Sequence, residues 1–130
     1  MIDKVMLVDD HFPTVFLHKE IMKESGLFEK IVVFQKANDA LKYLDEETEG
    51  KYPELIFLDI NMPGMDGWEF LTEYSKLQGK FTYKIPVLIM LTNSYNPDDE
   101  EKTKKFPFIK RFMNKPLTSE DLKEINEKYF

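Results

Sequence analysis

Cysteine is absent from the chain, which excludes a disulfide framework, thiolate chemistry and any metal site built on sulfur. Long apolar runs are missing too, and none approaches the ~20 residues needed to span a bilayer. The apolar stretch that follows Met1-Ile2-Asp3-Lys4 stops at Asp9, too soon for a secretory signal, and no cleavage-site pattern follows it. The cytoplasm is therefore the expected location, with no membrane partner. Basic residues are in deficit, 18 Lys and Arg against 24 Asp and Glu, for a formal net charge of −6. Such a chain repels a phosphate backbone on average, so direct nucleic-acid binding is not expected. Glycine is scarce at five residues, and the first apolar run passes into Asp9-Asp10-His11-Phe12-Pro13 without one. A Gly-rich nucleotide-binding loop is thus excluded at that position.

What is present fits one globular domain. The 130 residues are 42% hydrophobic and 32% charged, enough for a sizeable core. Five short apolar runs recur, at Lys4–Val8, Ile31–Phe34, Glu54–Leu58, Pro86–Leu91 and Ile109–Met113. The first, third and fourth are nearly continuous in Val, Leu, Ile, Met and Phe, as in parallel strands covered on both faces. The fifth is more polar and suits a sheet edge.

Between the runs the spacing becomes helical. Thr14, Leu17, His18, Ile21 and Met22 share one face, which leaves Val15 and Phe16 off the core stripe, and Gly26 supplies a stop. Ala37, Ala40, Leu41 and Leu44 form a second stripe, and Gly67, Phe70, Leu71, Tyr74 and Leu77 a third. Asn96-Pro97-Asp98-Asp99 reads as a capped helix start with acids at its positive end. Lysines follow four residues after acids, at Asp98–Lys102, Glu100–Lys104 and Glu101–Lys105, which predicts a solvated, ion-paired face. Thr118-Ser119-Glu120-Asp121 opens the last helix with a capping box, and Leu122, Ile125 and Tyr129 are its apolar side. Five alternations of strand and helix predict a parallel sheet with helices on both faces. The polar loops Asp45–Pro53 and Gln78–Ile85 are too short to separate domains, so one domain over residues 1–130 is expected, with no output domain.

The chemistry lies at the strand ends. Asp9 and Asp10 follow the first run, Asp59 the third, Thr92 the fourth, and Lys115 stands just beyond the fifth. In an open parallel sheet these positions share the carboxyl edge, where ligands bind. Three crowded carboxylates repel one another unless a cation neutralises them. Oxygen ligands alone favour a hard ion, with Mg2+ the obvious candidate. A lysine and a hydroxyl beside such a site suit an incoming phosphoryl group, and a carboxylate can itself be the nucleophile. His11 beside the acidic pair reads as a surface residue, His18 as a partly buried, satisfied histidine, and Trp68 as packing.

Asp59-Ile60-Asn61-Met62-Pro63-Gly64-Met65-Asp66-Gly67, together with Val8-Asp9-Asp10, Leu91-Thr92 and Lys115-Pro116, resembles the signature of response-regulator receiver domains. The resemblance runs from about Lys4 to Phe130. It implies a flavodoxin-like, doubly wound α/β fold, with a five-stranded parallel sheet in the order 2-1-3-4-5 and five helices. It also implies that Asp59 accepts a phosphoryl group from a phosphohistidine on a sensor kinase or phosphotransfer protein. Asp9, Asp10, Asp59 and the Asn61 backbone carbonyl would hold Mg2+, while Thr92 and Lys115 would contact the phosphoryl oxygens. Lys115–Pro116 would be a cis peptide, and Phe112 would be the switch aromatic that turns inward with Thr92. The first helix would dock the phosphate donor. Such a module is a switch or relay rather than an enzyme, a monomer or phosphorylation-dependent dimer acting on a downstream protein.

Three residues depart from the common pattern: Asn93 in place of a small residue, Phe108 in place of glycine, and apolar Phe16 on the first helix. An aspartyl-phosphate phosphatase is disfavoured, since such enzymes carry a second acid where Asn61 stands. A receiver-like scaffold that works without phosphate is the alternative reading.

Overall fold

Strand and helix alternate through the described residues: β1 (Ile2–Val8), α1 (Phe12–Ser25), β2 (Phe28–Phe34), α2 (Ala37–Glu46), β3 (Leu55–Asp59), α3 (Gly67–Ser75), β4 (Val87–Thr92), α4 (Pro97–Thr103), β5 (Ile109–Asn114) and α5 (Ser119–Tyr129). This computed structural model describes residues 1–46, 52–62, 64–77, 79, 85–93 and 96–130. Much of the two polar loops at 45–53 and 78–85, and Pro63 of the signature segment, lie outside the described residues.

The strands form one parallel sheet in the order β2-β1-β3-β4-β5, the order expected from the family resemblance. Successive side chains of a strand point to opposite faces, and this alternation divides the core in two. Met6, Val8, Ile56, Leu58, Leu88 and Met90 meet Ala40, Leu44, Phe70 and Leu71 from α2 and α3. Val5, Leu7, Leu55, Phe57, Ile89 and Leu91 meet Val15, Met22, Leu122 and Ile125 from α1 and α5. Full burial of each such side chain is worth about 1.5–3 kcal/mol, so β1, β3 and β4, buried on both faces, anchor the fold.

The helix ends follow local chemistry. Gly26 closes α1 at φ 68°, a left-handed conformation that costs glycine little, and its N–H donates to the Lys23 carbonyl. Thr118 and Asp121 cap α5 reciprocally, and Asp66 and Glu69 do the same for α3. Asn96 accepts the Asp98 N–H at 3.0 Å to start α4. That short helix buries none of its residues.

Two expectations are corrected. The buried face of α1 consists of Val15, His18 and Met22, while Leu17 is 42% exposed beside Phe16 at 59%. Apolar residues lie all around this helix, so periodicity alone did not select the face that packs. On α4, Lys104 pairs with Glu101 three residues back at 3.0 Å rather than with Glu100. Lys102 lies over the Trp68 ring, 5.6 Å from its centroid, rather than along the helix toward Asp98. An aromatic face from another element offers a cation a partner that no spacing within the helix reveals.

Candidate functional site

Parallel pairing brings the carboxyl ends of β1, β3, β4 and β5 to one edge of the sheet. Asp9 follows β1, and its N–H donates to the Phe34 carbonyl of β2 at 3.0 Å. Asp59 is the last residue of β3, and Thr92 the last of β4. Lys115 follows β5, and its N–H donates to the Thr92 carbonyl at 2.8 Å. Lys115–Pro116 is a cis peptide bond.

Asp9, Asp10 and Asp59 offer carboxylate oxygens that all lie within 4.8 Å of one another. Asp9 and Asp59 are buried, at 0% and 4% exposure, and Asp10 is the open side of the group. The Lys115 ammonium sits between the two buried acids, 2.8 Å from Asp9 Oδ2 and 2.9 Å from Asp59 Oδ1. Asp9 Oδ1 accepts the His11 N–H at 2.9 Å, and Asp59 Oδ1 accepts the Asn61 N–H at 3.4 Å. The acids are thus held by main-chain donors as well as by the lysine.

Burial pushes the Asp59 carboxyl up to about 6, against the pull of the Lys115 hydrogen bond and with the help of the Asp9 charge. Burial of Lys115 works to lower its pKa, but its bonds to Asp9 and Asp59 outweigh that and the net shift is upward. One ammonium therefore does not fully neutralise the cluster. A divalent cation would, and the donor set of hard oxygens at short mutual distances fits Mg2+.

Beside this pocket runs a cleft of about 220 Å³ lined by Asn61, Asp66, Trp68, Thr92, Asn96 and Lys102. Trp68 and Lys102 were not singled out as site residues from the sequence. A tryptophan just after Asp66-Gly67, at the start of the helix that follows the acidic strand end, was the available signal. Trp68 stacks near Phe106 at 6.2 Å and tilts against Phe112 at 6.1 Å between ring centroids. Phe112, on the edge strand, is half-buried in this aromatic group. Phe108 tilts against Tyr74 at 5.2 Å between ring centroids. Asn93 and His11 are exposed, and His11 Nδ1 lies 2.7 Å from Thr14 Oγ1.

The model of the response regulator receiver domain matches residues 5–127. The chain belongs to this family. It is similar to a two component response regulator from Cytophaga hutchinsonii whose structure superposes with a TM-score of 0.84, at 30% identity over 98% of this chain and 96% of that one. It is also 28% identical to sporulation initiation phosphotransferase F of Bacillus subtilis, over 99% of this chain and 94% of that protein. A third relative, hybrid signal transduction histidine kinase B of Dictyostelium discoideum, is 27% identical over 93% of this chain. The chain spans only 6% of that kinase's length. The receiver domain is a module of two-component signalling, and no helix among the described residues is long and apolar enough to cross a membrane.

Proposed function

We propose that this receiver domain is a cytoplasmic phosphoacceptor switch in which Asp59 takes a phosphoryl group from a phosphohistidine of a sensor kinase or phosphotransfer protein. The observation that carries the reading is the Lys115 ammonium held 2.9 Å from Asp59 within a three-carboxylate cluster at the ligand-binding edge of the sheet. A carboxylate oxygen of Asp59 attacks phosphorus, the bond from phosphorus to the donor imidazole nitrogen breaks, and the electron pair returns to that nitrogen. Asp9, Asp10, Asp59 and the Asn61 carbonyl would hold Mg2+, which when bound supplies charge neutralisation at the phosphoryl oxygens. Lys115 supplies a second positive charge and Thr92 a hydroxyl donor, so catalysis rests on positioning and electrostatics.

Phosphorylation would shift Lys115 from the acid pair toward the new phosphoryl oxygens and draw Thr92 with it, leaving room for Phe112 to turn inward from the Trp68 side. Phe12, Phe16 and Leu17, 65%, 59% and 42% exposed on α1 next to Asp10, form the surface we assign to the phosphate donor. The downstream partner is a protein that reads the altered face.

Intact-mass spectrometry after incubation with a small-molecule phosphodonor tests the reading. A single phosphoryl adduct is expected with Mg2+, none without it, and none in Asp59→Asn. Absence of an adduct from both the small donor and a phosphohistidine donor would leave the scaffold reading in its place.

A further inference from the structure

Four polar or charged residues are buried among the described residues: Asp9, Asp59, Thr92 and His18. The first three belong to the pocket. His18 does not, and nothing in the phosphoacceptor reading uses it.

The His18 ring is 0% exposed on the inner face of α1, between Val15 and Met22. Its Nε2 lies 3.0 Å from the Leu117 backbone nitrogen. A backbone N–H can only donate, so Nε2 carries a lone pair there and the proton of the neutral ring sits on Nδ1. Burial, the largest influence, lowers the pKa of the ring and so favours the neutral form. Nδ1 has no hydrogen-bond partner. The ring therefore satisfies one buried donor and leaves its own unsatisfied. Each such orphan costs about 1–3 kcal/mol, so the exchange brings little net stability. What it changes is placement.

The segment Lys115-Pro116-Leu117 has only two backbone N–H groups, because proline has none. The Lys115 N–H is taken by the Thr92 carbonyl on β4 at 2.8 Å, and the Leu117 N–H by His18 on α1. The lysine's main chain is thus pinned on both sides, once from the sheet and once from a helix. Its ammonium must then reach two carboxylates at 2.8 and 2.9 Å. Misplacement of a catalytic group by about 1 Å can cost on the order of 100-fold in rate.

We propose that His18 is a positioning residue for phosphoryl transfer, its Nε2 holding the Leu117 main chain so that Lys115 is delivered to Asp59. The proposal rests on the phosphoacceptor reading. It goes beyond it by assigning a role to a residue outside the acidic pocket, on the helix whose outer face carries Phe12 and Phe16.

The test compares the rate of adduct formation in the wild type, His18→Leu and His18→Gln, each with and without Lys115→Ala, with folding checked by thermal unfolding. The Gln side chain can present Oε1 to the Leu117 N–H, whereas Leu fills the space and accepts nothing. His18→Leu is expected to slow adduct formation by about tenfold, with Gln recovering most of the loss. In the Lys115→Ala background, substitution of His18 changes nothing further. Deuterium exchange at the Leu117 amide reads the same bond without phosphate: protected in the wild type and Gln variant, fast in Leu. Equal slowing by Gln and Leu, slowing that persists without Lys115, or unchanged exchange in the Leu variant would overturn the proposal. A folded wild type that takes no phosphoryl group would instead bring down the phosphoacceptor reading itself.

Discussion

The two layers that cover the sheet are filled differently. On the α1–α5 side Phe57 of β3 is covered chiefly by non-aromatic residues, with Val15, Met22, Leu117, Leu122 and Ile125 buried to 5% exposure or less. On the other side Phe70 and Tyr74 are buried, and around them gather Trp68, Phe106, Phe108 and Phe112, all partly exposed. That second side also carries α4, which buries none of its residues, is capped by Asn96 and lays Lys102 over the Trp68 ring. The first layer fixes the Lys115 segment. The second surrounds the aromatic proposed to move, beside a helix with little packing to lose. Regions with few buried apolar contacts open at low cost, so rigidity and mobility are separated across the thickness of one sheet.

The largest effect that sharpens this contrast should come from the α1–α5 layer. Ile125→Ala is expected to destabilise the protein by about 2–5 kcal/mol, through lost burial and a residual cavity. Equilibrium urea unfolding measures it directly. Next comes the place where the second layer is tight. A Cβ on Gly67 would lie 2.8 Å from the Asp59 carbonyl oxygen and 2.9 Å from Ile60 Cα, both of them backbone atoms. Gly67→Ala is therefore expected to cost about 1–3 kcal/mol and to slow adduct formation by displacing Asp59. A variant as stable and as reactive as the wild type would show that the start of α3 yields as easily as α4. Smallest is Asn96→Ala, which removes the side chain that accepts the Asp98 N–H. Its expected cost is about 1 kcal/mol or less, seen as faster amide exchange confined to α4. Loss of protection in β4 or β5 as well would mean that α4 is coupled to the sheet after all.

The pattern of what was legible follows the range of the interactions. Strands buried on both faces announce themselves as continuous apolar runs, and β1, β3 and β4 were readable for that reason. Asp9, Asp59, Thr92 and Lys115 were candidates because each terminates or follows such a run, and the sheet then brings strand ends together by construction. The Thr118–Asp121 box was visible as local spacing. The Asp66–Glu69 box has the same spacing, but it begins within the signature segment and ends beyond it, so that it overlaps the pattern that marks Asp59. Contacts between elements left no local trace. The α1 periodicity fits more than one face, and the choice of Val15 over Leu17 accompanies the reach of His18 to Leu117 across 99 residues. Lys102 has an acid four residues before it, and only the arrival of Trp68 from α3 explains where it points. Phe108 is a departure from the family pattern, and the Tyr74 surface it packs on left no local trace.

The chain has a single tryptophan, and its placement has a practical side. Trp68 borders the same cleft as Asn61 and Thr92 and leans on Phe112. A cation entering the pocket, a displaced threonine or a turned phenylalanine would each alter the surroundings of that one indole. Its emission belongs to no other residue, so the protein carries its own optical gauge of the state of the pocket, without an added dye.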